Sequence, residues 1–365
     1  MNPFKTFFIG GYECADIVNN RGNRVDLLKM TGHDTHVLED YKRLAAAGIR
    51  TVREGIRWSV VEATPGVYDF TEVRNRLVAA QETGIQQLWD ICHFGYPDGL
   101  MPTHPQFAER LTSVCEAFTR LYRQHTEDPL IITPINEISF LSWLSGEARG
   151  TIPFATHSGF DQKYFLCRAM IRAVEAIKRI DPAALVMMVE PLVRVHPRPG
   201  EETNDAITGF NEAQFQAMDI ITGKMCPELG GRPEYLDLAG FNYYYNNQWE
   251  DRGAVYGWCT ARRRMSFTEL LSDAWKRYGI PVVLSETGHF GEDRAAWMEL
   301  ITEDCIAALR QGVPLRGICI YPVLDRPDWD FPQKLIPCGI WSYNSLKERS
   351  TEEDYLARVE ACHFR

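Results

Sequence analysis

The sequence lacks any run approaching eighteen apolar residues, so no membrane-spanning helix is expected. Its ten cysteines form no C-x-x-C pair, and several sit inside apolar runs. That is the pattern of reduced, buried thiols and not of a disulfide framework or a zinc site. The opening Met1-Asn2-Pro3-Phe4-Lys5 has neither the long apolar core nor the small-residue cleavage site of a secretory leader, so a cytoplasmic protein is expected. Positive charge is in short supply. Lys and Arg total 39 against 49 Asp and Glu, giving a net charge of −10 and a pI near 5.5. The sharpest basic run, Arg262-Arg263-Arg264, reads as a solvated loop, and no nucleic-acid partner is expected. There is no low-complexity segment. Gly10-Gly11-Tyr12-Glu13-Cys14 does not fit a glycine-rich phosphate loop, which disfavours an open nucleotide-binding sheet.

What is present is alternation. Apolar runs of strand length fall at Phe7–Gly11, Thr51–Arg57, Gln87–Cys92, Ile131–Ile135, Ala184–Val189, Leu236–Phe241, Val282–Ser285 and Gly317–Tyr321. β-Branched and aromatic residues are frequent in them. Helix-period segments separate them, at Asp34–Ala47, Gln106–His125, Asp161–Ile180, Glu212–Thr222, Ser266–Tyr278 and Arg294–Gln311. Gly48, Gly84, Gly279 and Gly312 follow helical runs as C-terminal caps do. Eight strands with intervening helices predict an α/β fold, a single (β/α)8 TIM barrel over residues 1–365.

In such a barrel chemistry gathers at the carboxyl ends of the strands. Arg53, Arg57, Asp90, His93, Asn136, Glu137, Glu190, Asn242, Tyr244, Glu286 and Asp325 all fall at or just past those ends. Pro134-Ile135-Asn136-Glu137 and Leu284-Ser285-Glu286-Thr287-Gly288 each set one glutamate there. Two carboxylates delivered from two strand ends are what cleavage of a glycosidic bond requires, one to donate a proton and one to attack or to activate water. Spacing alone leaves catalysis and a structural role equally open for this pair.

These residues resemble glycoside hydrolase clan A, and most of all family 1, the retaining β-glycosidases. Asn136-Glu137 follows the fourth candidate strand and Glu286 the seventh, the order of acid/base and nucleophile in that family. Arg53 lies five residues before Trp58, and His93 four before Pro97, as in the family's second- and third-strand motifs. Asn242-Tyr243-Tyr244 is similar to its Asn-Tyr-Tyr. Tyr321-Pro322-Val323-Leu324-Asp325-Arg326-Pro327-Asp328-Trp329 is similar to its eighth-strand segment, and Gly339-Ile340-Trp341 to its final turn. The chain departs at Pro134-Ile135, Ile138 and Thr287, and its shortness implies trimmed outer loops.

The resemblance implies Glu286 as nucleophile and Glu137 as acid/base. Arg53, Asn136 and Tyr244 would support them: Arg53 by supplying positive charge to Glu286, Tyr244 by donating to the same carboxylate, Asn136 by binding the sugar 2-hydroxyl. His93, Asn242, Asp328 and Trp329 would bind substrate. Glu13 and Asp16 are the nearest polar candidates for sugar contact after the first strand. Glu190 is expected to orient a neighbour or form a salt bridge. Trp58 and Trp341 divide evenly between packing and site wall. Glu54 should point to the face opposite Arg53. The implied activity is hydrolysis of β-linked glycosides or short oligosaccharides, with small carbohydrates as partners and no metal or organic cofactor. Transfer to another hydroxyl, and a catalytically silent carbohydrate-binding barrel, stay open as alternatives.

Overall fold

The computed structural model describes residues 2–200, 204–260 and 263–363. Eight parallel strands form a closed barrel. They are β1 (Phe8–Gly11), β2 (Thr51–Gly55), β3 (Gln86–Cys92), β4 (Ile131–Ile135), β5 (Leu185–Pro191), β6 (Leu238–Asn242), β7 (Val282–Thr287) and β8 (Leu315–Ile320). Each pairs with its neighbours in sequence, and β1 closes on β8 through Phe8–Ile318 and Ile9–Cys319. This is the (β/α)8 architecture expected from the alternation of the sequence.

The two-residue period of the strands divides two cores. Ile9, Leu88, Ile131, Met187, Leu238, Val283 and Cys319 fill the barrel lumen. The next residues along, such as Trp89, Ile132 and Leu284, pack outward against the helices. Arg53 and Glu54 obey the same rule. Arg53 enters the lumen, while Glu54 is fully buried on the outer face, held by His33 Nε2 at 2.8 Å, Tyr41 at 2.6 Å and Arg76 at 2.8 Å. Burial opposes the charge on Glu54, but His33 and Arg76 outweigh it and hold its pKa below the usual carboxylate value.

Arg76 explains one helix that periodicity passes over. Thr71–Thr83, between β2 and β3, turns a buried arginine toward the barrel, so its inner face is not uniformly apolar. The expected Glu212–Thr222 helix is two, Asp205–Ala213 and Gln216–Ile221. Asn204 caps the first, and between them Gln214 accepts from the Val193 N–H. All four anticipated capping glycines have positive φ, from 70° to 86°. The basic run is not simply solvated. Arg262 lies outside the described residues and Arg263 is exposed, but Arg264 is partly buried and donates to the Tyr243 hydroxyl and the Tyr245 carbonyl.

Removing one member of a buried charged cluster strands the others. Glu54→Ala should cost about 3–5 kcal/mol in denaturant unfolding. A loss below 1 kcal/mol would show that His33 and Arg76 find other partners.

Candidate active site

Arg53 rises from β2 into the lumen and is almost fully buried. Its Nη1 donates to Glu286 Oε1 at 2.6 Å and to the Ser285 carbonyl at 3.0 Å. Its Nη2 donates to Asp90 Oδ2 at 2.6 Å and to Asn136 Oδ1 at 2.8 Å. Tyr244 donates to the other oxygen of Glu286 at 2.8 Å. Both oxygens of this carboxylate are thus gripped, one by a cation.

Glu137 sits differently. It follows β4 with φ of 47°, in the left-handed region that costs a non-glycine residue about 1 kcal/mol or more. Its N–H bonds the Val189 carbonyl at 2.9 Å, and the helix Ile138–Gly146 begins immediately after it. The only side chain bonded to it among the described residues is neutral: Asn242 Nδ2 donates to Glu137 Oε1 at 2.8 Å, and Ser285 Oγ fixes that amide by donating to its Oδ1 at 2.7 Å. Burial and the charge of Glu286 push the Glu137 pKa up to about 8, against the lowering effect of the Asn242 bond. A register shift between β6 and β7 sets Asn242 opposite Glu286, which is how one strand end serves both carboxyls.

Glu137, Glu286, His93, Tyr244 and Trp329 line one cavity of about 980 Å3. Asn136 is buried beside it; Arg53 takes its Oδ1, and its Nδ2 has no protein partner. His93 bonds Asp90 Oδ2 at 2.8 Å and lies 3.2 Å from the Tyr321 hydroxyl. Burial disfavours a charge on His93, but Cys14 and Asp90 more than offset this and hold its pKa well above the usual imidazole value.

Other expected site residues lie elsewhere. Asn242 donates one amide N–H to Glu137 and accepts from Ser285, so it positions the carboxyl, and it is not among the residues that line the cavity. Asp328 is not among the residues lining the cavity; its Oδ1 accepts from the Asp330 and Phe331 N–H groups and shapes a turn. That turn places Trp329, whose indole edge meets Phe94 and whose N–H has no protein partner. Trp58 is fully buried, packs on Phe107 and donates to Glu62. Trp341 is buried and pairs with Thr351 in a short ladder away from the lining. Asp16 is tied to Ser59. Arg57 and Asp325, though near strand ends, are committed to Asp26 and to the Cys338 and Gly339 N–H groups respectively. Glu190 accepts from Ser139 N at 3.1 Å at the start of the helix that follows Glu137, with burial pushing its pKa up to about 7.

Glu13, one of the two candidates for sugar contact after the first strand, and two residues with no expected sugar role complete the cavity lining. Glu13 lies 3.5 Å from Arg326 and 3.4 Å from the Tyr321 hydroxyl. Tyr321 lies flat against β1, where a Cβ at Gly11 would come within 2.2 Å of its ring. Alternation within Leu284-Ser285-Glu286 was the one available signal for Ser285; nothing local marks Arg326. Cys14, Asp90 and His93 are the one trio of potential metal donors among the described residues, within 4.8 Å of one another. Asp90 already serves Arg53 and His93, so its carboxylate is committed to groups present in the protein.

No protein-family profile and no curated protein sequence matches the chain. Solved structures do. A β-glucosidase from Thermotoga maritima in complex with azafagomine matches with a TM-score of 0.76 at 16% identity, over 99% of this chain and 97% of that one. The same enzyme in complex with glucoimidazole matches with a TM-score of 0.76 at 15% identity over the same shares. With methoxycarbonyl-substituted glucoimidazole the TM-score is 0.73 at 15% identity, over 91% and 87%. The fold is therefore that of the β-glucosidase barrels. No helix among the described residues is long and apolar enough to cross a membrane.

A group that must donate a proton works only below its pKa. If Glu137, raised to about 8, is the proton donor of a β-glycoside-cleaving site, kcat/KM should fall above about pH 8. Asn242→Ala removes a bond that lowers this pKa, so the alkaline limb should move to higher pH. An unmoved or lowered limb in the pH–rate profile would separate Asn242 from the acid.

Proposed function

We propose that residues 1–365 act as one catalytic barrel, a retaining β-glycosidase of the family 1 type. The observation that carries this reading is the unequal treatment of two carboxyls in one cavity. Glu286 is bonded to a fixed cation and a phenol, whereas Glu137 is buried against a neutral amide with its pKa raised. Retaining catalysis needs that division of labour. The Thermotoga enzyme of the same fold is a β-glucosidase crystallised with glucoimidazole, which supports a sugar-shaped cavity at this end of the barrel.

In the first step a Glu286 oxygen attacks the anomeric carbon and the bond to the leaving oxygen breaks. Glu137 gives that oxygen its proton, so the alcohol departs neutral and a glycosyl–enzyme ester forms. In the second step Glu137, now a carboxylate, takes a proton from water as the water attacks the anomeric carbon, and Glu286 is released. Asn136 Nδ2, which lacks a protein partner, is the donor for the sugar 2-hydroxyl. Arg53 and Tyr244 hold the nucleophile in line, and His93 and Trp329 bind the glycone. Substrates are β-linked glycosides or short oligosaccharides. Ten unpaired cysteines support a reducing, cytoplasmic setting.

Glu286→Gly should lower kcat on nitrophenyl β-glycosides by roughly 10⁴-fold or more. Added azide should then occupy the space of the lost carboxylate and yield an α-glycosyl azide. Rescue giving the β-azide, or full activity without rescue, would overturn the assignment.

A further inference from the structure

A side chain aimed into a cavity from the head of a helix cannot also cap that helix. Glu137 is the N-cap residue of Ile138–Gly146, the position whose side chain ordinarily accepts from the first free N–H groups. It makes no such bond, because its carboxyl is turned toward the cavity and held by Asn242. The N–H groups at the helix start therefore need an acceptor from another element. Glu190 is that acceptor. Its two oxygens lie 3.1 and 3.3 Å from the Ser139 nitrogen.

Glu190 reaches this place through strand register. Met187 and Val189 of β5 fill the lumen, so the two-residue period turns Glu190 outward with Met188. It is 2% exposed and is not among the residues that line the cavity, so it does not meet a substrate directly. A cap alone could be supplied by a neutral Ser or Asn. Here a carboxyl is buried instead, and Lys163, the cation that favours its charge, bonds Gln216 and the Ala213 carbonyl.

The residue beside Glu190 completes the hold. The Val189 carbonyl accepts the Glu137 N–H at 2.9 Å, and the Glu137 carbonyl accepts the Leu141 N–H at 2.8 Å to close the first helical turn. Between these two bonds the chain passes through the left-handed φ of 47° at Glu137. β5 thus holds Glu137 twice, through Val189 and through the helix start, while β6 holds its carboxyl through Asn242.

We propose that Glu190 is a positioning residue for the proton donor: its carboxyl caps the helix that Glu137 opens, and so fixes the left-handed turn that aims the Glu137 carboxyl into the cavity. This rests on the glycosidase reading for the proton donor's role, but not for the capping. The charge of Glu190 acts in addition. After burial, Glu286 and Glu190 raise the Glu137 pKa, while Asn242 and His93 lower it. Around Glu190 itself, burial holds the pKa at about 7 against Lys163 and the Ser139 and Ile138 N–H groups, with the Cys167 thiol on the same helix as Lys163.

The test uses leaving groups that differ in their need for a proton. kcat/KM is measured for phenyl and 2,4-dinitrophenyl β-D-glucosides and β-D-galactosides; dinitrophenolate departs as a stable anion, whereas phenolate is far more basic. Glu190→Ala should lower kcat/KM for the phenyl glycosides about 100-fold, as displacing a general acid does, and for the dinitrophenyl glycosides by less than about threefold. Glu190→Gln keeps an acceptor oxygen for Ser139 but no charge. It should restore the phenyl value to within about fivefold of the unmodified protein at about pH 6. Its alkaline limb should lie at lower pH, because a charge that raises Glu137 is gone. Equal losses on the two leaving groups in Glu190→Ala, or an unmoved or raised limb in Glu190→Gln, would overturn the proposal. If Glu190→Ala does not fold, the Glu190→Gln limb decides. If the unmodified protein turns over no β-glycoside, the glycosidase reading fails, and a 13C NMR titration of Glu137, assigned through Glu137→Gln, decides in its place. Glu137 should then titrate at lower pH in Glu190→Gln, and an unmoved titration would overturn the proposal.

Discussion

A single buried guanidinium holds this site together. Arg53 stands in the barrel lumen, where an unpaired charge costs several kcal/mol. It is made tolerable by groups from three other strands: Asp90 on β3, Asn136 at the end of β4, and Glu286 with the Ser285 carbonyl on β7. Satisfying one cation therefore fixes four strand ends relative to one another. It also shares Asp90 with His93, which carries the constraint to another residue that lines the cavity.

The same constraint separates the two glutamates. Glu286 lies 2.6 Å from the guanidinium, whereas Glu137, across the mouth, is bonded to the neutral Asn242 amide. Both are buried, so identity does not distinguish them; partners do. Burial without a cation, beside a second carboxylate, is what raises Glu137.

Much of this was legible in the sequence because it rests on strand periodicity. Eight apolar runs gave eight barrel strands, and the two-residue alternation put Arg53 inside and Glu54 outside. What escaped depends on contacts across long sequence separations. The resemblance makes Asn242 a sugar ligand, whereas the bond it makes to Glu137, with Ser285 of the next strand fixing its amide, joins residues more than 40 positions apart. Asp328 aligns with a sugar-binding position, yet its Oδ1 accepts two N–H groups of its own turn and the residue is not among those that line the cavity. In the helix Ile138–Gly146 the small polar Ser142 and Ser145 face inward while the large apolar Trp143 is exposed, the reverse of an ordinary amphipathic pattern, so its period gives no sign that Trp143 lines the cavity. Arg76 broke the pattern of Thr71–Thr83 because its partner, Glu54, lies on another element.

Unequal partners around two similar acids make a definite chemical claim, that the group bonded to Arg53 and Tyr244 is the one that becomes covalently attached to sugar. The most direct measurement is incubation with 2,4-dinitrophenyl 2-deoxy-2-fluoro-β-D-glucoside, whose fluorine slows release of the intermediate, followed by proteolysis and mass spectrometry of the peptides. The account predicts one fluoroglucosyl adduct on the peptide carrying Glu286, absent from Glu286→Gln. An adduct on Glu137 or Glu13, or steady turnover of β-glucosides with no adduct anywhere, would contradict it.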